Sequence, residues 1–220
     1  MVYEVSIARG GVQQQVGTLT GTGPDDAVFV YCQEYLTSGA PISISLPLQG
    51  EPFSPAQTKN YFDSLLPEGF TRRAVAQWIH ADESDYLTIL HALGRECLGA
   101  IQIRTADENP QASYEPLTLP RVKELAAEGA AKSAELVTES HLSLAGASGK
   151  VGLYYDAAGK QWYLPKGTAP STHIVKQSHV RLDGIVTNEQ LSMMTAAKCG
   201  IDVPESFIYN TAEYPRLLAS

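Results

Sequence analysis

The chain has 220 residues, of which 44% are hydrophobic and 18% charged, so it can bury a sizeable core in one or two globular units. No apolar run approaches the roughly 18 to 20 residues of a membrane-spanning helix, and the first residues lack the pattern of a secretory signal, so we expect a cytoplasmic protein without a membrane partner. The net charge of −8, without a basic cluster, argues against direct nucleic-acid binding.

The first fifty residues carry the alternating patterns of β-strands. Residues 2–7 and 12–19 predict a β-hairpin. Residues 28–31 and 42–46 predict two further strands, and the second of these alternates strictly, with its isoleucines and its leucine on one face. A small antiparallel sheet is therefore expected at the start of the chain.

A capping box marks the first predicted helix. Ser54 precedes Pro55 and stands three residues before Gln57, an arrangement that satisfies the free N–H groups at a helix start. Two further helices and a returning strand are expected at residues 71–78, 85–93 and 99–103. Helices enclosed between strands of one sheet predict an α+β fold.

A polar, proline-punctuated stretch at residues 105–120 predicts a boundary between two units. An alanine-rich, charged helix is expected after it, at residues 121–135. Further extended segments are expected at residues 141–145, 151–155, 161–164, 173–176 and 203–209. A second capping box predicts a helix that begins at Thr187 and ends near Cys199. The domain boundaries that follow are 1–107, a connector with a helix at 108–140, and 141–220.

Residues 143–151 form a run of mostly small residues that contains Lys150. Small side chains let backbone N–H groups approach an anion, and the lysine adds a positive charge, so this segment can hold phosphates. It is not a P-loop, because Leu144 stands where the first glycine would be and Val151 follows the lysine in place of Ser or Thr. A loop of this kind between two strands is the protein-kinase arrangement, although small residues between strands more often form a simple turn.

Two charged residues downstream favour the kinase interpretation. Lys176 lies in an apolar strand pattern, and Glu189 lies in the first turn of the predicted second capped helix. In kinases a strand lysine contacts the nucleotide phosphates and a helix glutamate holds that lysine in place. The alternative is that Lys176 protects a strand edge and Glu189 complements the helix dipole.

A series of short motifs follows one order along the chain. In the first half the motifs are residues 44–48, 62–68 and 93–100, and in the second half they are residues 143–147, 164–170, 172–176, 188–189 and 200–204. Together they resemble the motifs of HipA-type serine/threonine kinases, the toxins of bacterial toxin–antitoxin pairs. The resemblance covers nearly the whole chain, and it implies that the second domain is a kinase-like N-terminal lobe, a twisted antiparallel sheet with one helix.

The resemblance also implies a nucleotide site. The ATP-binding residues that it implies are Ala145, Gly146, Ala147, Ser148, Gly149, Lys150 and Lys176. Glu189 would pair with Lys176, and Ser143 would be the autophosphorylated residue. Ser148 and Gly149 depart from the family's usual glutamine and acidic or polar residue before the loop lysine, so the contact with the phosphates is expected to differ.

The resemblance further implies that the catalytic lobe would lie beyond Ser220. No catalytic residue is assigned in this chain, and the scattered cysteines and histidines predict no metal site. We expect ATP and Mg²⁺ to serve the parent enzyme, and this chain to require no cofactor and to be inactive alone. The implied partners are a HipB-like antitoxin and a translation-related protein substrate, with DNA reached only through the antitoxin.

A second interpretation remains open at this point. The chain could be a stand-alone interaction module that binds and restrains a separate kinase chain. Such a module would not need phosphate-contacting groups, so residues 145–150 together with Lys176 favour the N-terminal half of a kinase.

Overall fold

The structure of the protein is a computed structural model that describes residues 1–9, 12–94, 97, 100–106, 111–118, 121, 150–177, 184–209 and 217–219. These residues form two compact units that divide between residues 106 and 111. Within these ranges no helix is both long and apolar enough to cross a membrane. The predicted strand at residues 141–145, and all of the predicted helix at residues 121–135 except its first residue, lie outside the described residues.

The first unit is built on a four-stranded antiparallel sheet. Its strands are β1 (Val2–Arg9), β2 (Val12–Thr20), β3 (Val28–Tyr31) and β4 (Ile101–Arg104). Their order across the sheet is β3-β2-β1-β4, so the strand that returns after the helices pairs with β1. The predicted hairpin, the third strand and the returning strand are confirmed.

The part of the chain that the structure describes has four helices between β3 and β4. They are α1 (Gln33–Ser38), α2 (Pro55–Ser64), α3 (Gly69–Trp78) and α4 (Tyr86–Leu93). The capping box at the start of α2 is confirmed, because the Ser54 side chain accepts from the Gln57 N–H and the Gln57 side chain accepts from the Ser54 N–H. Arg72 of α3 donates to Asp63 at 2.6 Å and to the Glu83 carbonyl at 2.7 Å, which ties three parts of this helical region together.

An aromatic cluster centred on Phe29 forms the core between sheet and helices. The Phe29 ring lies 4.9 Å from the Tyr31 ring and 6.0 Å from the Phe53 ring. Its distance to the Phe62 ring of α2 is 5.4 Å. All four side chains are buried, so β3 supplies the contact surface on which α2 packs.

The predicted strand at residues 42–46 is wrong. The segment is a loop with a single bridge between Ser43 and Leu46. The Tyr31 hydroxyl holds it by donating to the Leu46 carbonyl at 2.6 Å and accepting from the Ile42 N–H at 3.1 Å. Leu46 is fully buried and Ile44 fully exposed, so the three apolar residues do not share a face. Burial raises the pKa of Tyr31 above its usual 10.0, which keeps the hydroxyl protonated and able to donate.

Within the described residues, the second unit is a six-stranded antiparallel sheet with one long helix. Its strands are β5 (Ser113–Pro116), β6 (Lys150–Asp156), β7 (Gln161–Lys166), β8 (His173–Gln177), β9 (Phe207–Tyr209) and β10 (Leu217–Ala219). Their order is β5-β7-β6-β8-β10-β9. The helix, α5 (Ile185–Lys198), packs against β9 and β10.

The start of α5 and the strand β5 both differ from the sequence-based expectation. The helix begins at Ile185 and has no side-chain cap. Val186 is buried in its first turn. Gln190, the residue expected to close a capping box, donates to the Ser206 carbonyl instead. Its predicted end is confirmed, with Gly200 at a φ of +79°. The strand β5 lies in the stretch predicted to be only a polar connection.

Gly17 supplies a test of the packing between β2 and β3. A Cβ atom at this position would lie 2.1 Å from the Val30 carbonyl oxygen and 2.8 Å from the Phe29 ring. We therefore expect Gly17→Ala to lower the free energy of unfolding by about 1 to 3 kcal/mol, measured by chemical denaturation. Gly23→Ala is the matched control, because a Cβ there meets nothing within 4 Å. Equal losses in the two variants would contradict this account of the packing.

Candidate nucleotide-binding site

The register between β6 and β8 places Lys150 and Lys176 directly opposite each other. The next pair along the two strands, Val151 and Val175, is buried, and side chains alternate between the faces of a strand. The two lysines therefore share the face opposite Val151 and Val175. Directly opposite side chains have Cβ atoms about 4.5 to 5.5 Å apart, so one anion with several oxygens can contact both ammonium groups.

Lys176 forms an ion pair with Glu189 of α5. The two side chains are 25% and 32% exposed, so the pair is partly shielded from water but remains accessible from the lysine face. The predicted contact between these two side chains is thus present, and it fixes the Lys176 ammonium group between a strand and a helix. The phosphate-contacting role of Lys176 stays a prediction.

The predicted residues of the small-residue segment, apart from Lys150, lie outside the described residues. They are Ser143, Ala145, Gly146, Ala147, Ser148 and Gly149. Lys150 itself begins β6, so the position at which that segment joins the sheet is defined. It is one strand away from Lys176.

The opposite face of the same sheet carries an aromatic cluster that belongs to the core. The His173 ring lies 5.7 Å from the Tyr155 ring and 5.5 Å from the Trp162 ring, and Phe207 completes the cluster at 5.9 Å. Burial lowers the pKa of His173 below its usual 6.5, which favours the neutral ring. This histidine is therefore a packing residue on the face away from the lysines.

A groove that the sequence analysis did not identify runs along α5. Its volume is about 430 Å³, and its lining is mostly apolar. The lining residues are Gln190, Met193, Met194, Ala197, Val203, Pro204, Glu205, Ser206 and Phe207. None of the predicted site residues lines it. A helical pattern of methionines is the only sequence signal for it, and that pattern is equally typical of a core-facing stripe.

The described residues do not fit a Mg²⁺ site. Among them, no cluster of His, Cys, Asp or Glu has the geometry to hold a metal ion. Mg²⁺ prefers carboxylate oxygens, and the carboxylate beside the lysine face, Glu189, is engaged by Lys176.

Comparison with known proteins identifies the family. Residues 12–104 match the model of the HipA N-terminal domain, and residues 142–219 match the model of the HipA-like C-terminal domain. The chain belongs to the HipA family. The resemblance inferred from the motifs is thereby confirmed.

Two similar proteins place the chain within this family. A putative kinase of Sinorhizobium fredii, Y4mE, is 31% identical over 198 residues, which make up 86% of this chain and 47% of that protein. The serine/threonine-protein kinase toxin HipA of Shewanella oneidensis is 26% identical over 205 residues, covering 92% of this chain and 46% of the toxin. The chain thus spans about half the length of the curated relatives it matches.

A solved structure shares the fold. It is the complex of Shewanella oneidensis MR-1 HipA and HipB with operator DNA, and its matching chain has a TM-score of 0.74 and 23% sequence identity. The match covers 99% of this chain and 50% of that one. The mixed α and β architecture with antiparallel sheets is therefore that of HipA.

The partly buried His173 predicts a pH-dependent stability. Its pKa in the folded protein lies below 6.5, so the unfolded chain binds more protons as the pH falls through 6.5, and stability is lost. We expect His173→Phe to keep the ring packing and remove this loss, so the difference in Tm between the variant and the wild type should grow from about pH 7.5 to about pH 5.5. A difference that does not change with pH would contradict the prediction.

Proposed function

We propose that this chain is the nucleotide-binding half of a HipA-type serine/threonine kinase and that it holds the phosphates of ATP through Lys150 and Lys176. The main support for the proposal is the ion pair between Lys176 and Glu189. A strand lysine held by a helix glutamate is the arrangement that protein kinases use to position nucleotide phosphates.

The order of the parts along the chain gives further support. The strand that begins at Lys150 pairs with the strand of Lys176, and the helix of Glu189 comes next. A phosphate chain that lies across β6 and β8 would contact both ammonium groups. The negative charge of the phosphates would be attracted to both ammonium groups, because opposite charges attract at short range.

The small-residue segment completes the proposed phosphate site. Residues 145–149 carry only Ala, Gly and Ser, so their backbone N–H groups can approach phosphate oxygens closely. Ser143 precedes this segment, and we assign it as the autophosphorylated residue. A phosphate there would compete with the nucleotide for the loop lysine.

Phosphoryl transfer requires more than this half supplies. It needs Mg²⁺ ligands and a group that orients the attacking hydroxyl, and the described residues contain no cluster that could hold a metal ion. We assign transfer to the longer protein, with ATP and Mg²⁺ as its cofactors. A HipB-like antitoxin is proposed as its partner, since the matching structure contains HipA with HipB and operator DNA. A translation-related protein is proposed as its substrate, with DNA contacted only through the antitoxin.

Calorimetric titration of this chain with ATP tests the phosphate site. Lys176→Met removes the ammonium group, and we expect a loss of about tenfold or more in affinity, because hydrogen bonds to charged groups contribute about 1.5 to 3 kcal/mol. Glu189→Gln should cause a smaller loss, since it leaves the lysine in place but unheld. Lys198→Met, at the exposed end of α5, is the matched control. Wild-type affinity in the Lys176 variant would refute the proposal.

A transfer assay tests the assignment of catalysis to the longer protein. With labelled ATP, Mg²⁺ and a generic protein substrate, we expect this chain to transfer no phosphate, because its described residues contain no cluster that could hold the metal ion. The control is a full-length member of the family under the same conditions. Transfer that persists in this chain after repurification would contradict the assignment.

A further inference from the structure

The helix α5 is attached to the second sheet by few contacts. Of its 14 described residues, Val186 alone is buried, and it lies in the first turn. Leu191 and Met194, further along the helix, are more than half exposed. A helix of this length is only marginally stable in water unless an apolar face packs on the rest of the protein. The position of α5 therefore depends on a few specific side chains.

Two neighbouring side chains connect α5 to the sheet. Glu189 forms the ion pair with Lys176 of β8. The Nε2 atom of Gln190 donates to the carbonyl of Ser206, the residue directly before β9, at 3.1 Å. Successive residues of an α-helix point about 100° apart around its axis. The two side chains thus leave the helix in different directions and hold it at two separate points.

The strand order places these two attachment points on opposite sides of β10. The order is β8-β10-β9, and the register sets Lys176, Leu218 and Ile208 in one row across the three strands. Ser206 stands two residues before Ile208. Neighbouring strands lie about 4.8 Å apart, so β8 and β9 are separated by about 10 Å. Attachment on both sides of β10 opposes a roll of the helix about its own axis.

A roll of α5 would separate the ion pair. The tip of a helical side chain lies about 5 to 6 Å from the helix axis, so a roll of about 20° moves it by about 2 Å. A displacement of this size breaks the contact between an ammonium group and a carboxylate, whose attraction depends on close approach. The hydrogen bond of Gln190 therefore limits how far Glu189 can move away from Lys176.

The amide of Gln190 is not the side chain that stability alone would favour. Among the described residues its Oε1 atom is buried and has no hydrogen-bond partner, and the groove that it lines is mostly apolar. A buried polar atom without a partner costs folding free energy, which a methionine at the same position would avoid. The contribution of this side chain is thus the N–H group that it donates to Ser206.

On the nucleotide function proposed above, we propose that Gln190 is a positioning residue of the phosphate site. It holds α5 to Ser206 so that Glu189 keeps the Lys176 ammonium group in reach of the phosphates. Gln190 touches no phosphate itself, and its whole effect on the nucleotide passes through Glu189.

Calorimetric titration with ATP tests this positioning role. We expect Gln190→Met to lower the affinity by about two- to fivefold, close to the loss in Glu189→Gln. The variant that carries both substitutions should bind ATP no more weakly than Glu189→Gln alone, because residues that act in series are not additive. Gln77→Met, the same exchange at an exposed position of α3 in the first unit, is the matched control and should bind like the wild type.

A second measurement needs no nucleotide. Chemical denaturation of the wild type, Lys176→Met, Glu189→Gln and the double variant gives the coupling free energy between the two charged residues. We expect a measurable coupling while Gln190 is present. The coupling should disappear when Gln190→Met is added to all four proteins, because α5 can then roll away from β8.

The possible results separate this proposal from the nucleotide function. Wild-type ATP affinity in Gln190→Met, or additive losses when it is combined with Glu189→Gln, would overturn the positioning role. A coupling free energy that persists in the Gln190→Met background would also overturn it. If the wild type binds no ATP, the nucleotide function fails, and the denaturation experiment alone decides whether Gln190 positions Glu189. If Gln190→Met does not fold, Gln190→Glu replaces it in both experiments, since it keeps the shape of the side chain and lacks the N–H donor.

Discussion

The pairing of β6 with β8 is the constraint on which the second unit depends. It sorts the side chains of both strands so that valines and leucine enter the core while Lys150 and Lys176 stay on the other face. A slip of one residue in either strand would place a lysine on the apolar, buried face of the sheet. Burying an ammonium group there without a partner would cost a large amount of folding free energy. The burial of Val151 and Val175 therefore does more than stabilise the sheet. It also decides that the cationic groups meet, and the anchoring of α5 by Val186 then brings Glu189 to them.

In the first unit, the notable feature is the way in which the two edge strands of the antiparallel sheet are covered. Its two outer strands do not present a free row of backbone groups. On β3, the Phe29 carbonyl accepts from the Phe53 N–H and the Phe29 N–H donates to the Thr58 side chain. On β4, the Ile103 N–H donates to the Gly94 carbonyl. The segments that lead into and out of the helices thus cover both edges, which discourages pairing with another chain.

Local chemistry accounts for most of what the sequence predicted correctly. The capping box at Ser54 and the glycine that ends α5 are decided within a few residues, so they can be read without knowing the fold.

The errors involve partners that are distant in sequence. The segment at residues 42–46 has the alternation of a strand, but the Tyr31 hydroxyl takes its backbone groups. The four residues of β5 are all exposed and carry no strand pattern, but they pair with β7 through their backbone, and Glu115 adds an ion pair with Lys166. The site shows the same division: Lys176 and Glu189 follow a recognisable chain order, whereas the register that sets Lys150 opposite Lys176 becomes visible only once the strand order is known.

The Tyr31 hydroxyl holds the loop at residues 42–46 against the core of the first unit through two hydrogen bonds. The ring that carries this hydroxyl stacks on Tyr35 and meets Phe29 edge-on, so its position is set by the core of the first unit. The loop therefore belongs to the same cooperative unfolding unit as that core, in contrast to most surface loops, whose amides exchange by local fraying. We therefore expect the Ile42 N–H, which donates to this hydroxyl, to exchange only when the core opens, although Ile44 at the tip of the same loop is fully exposed.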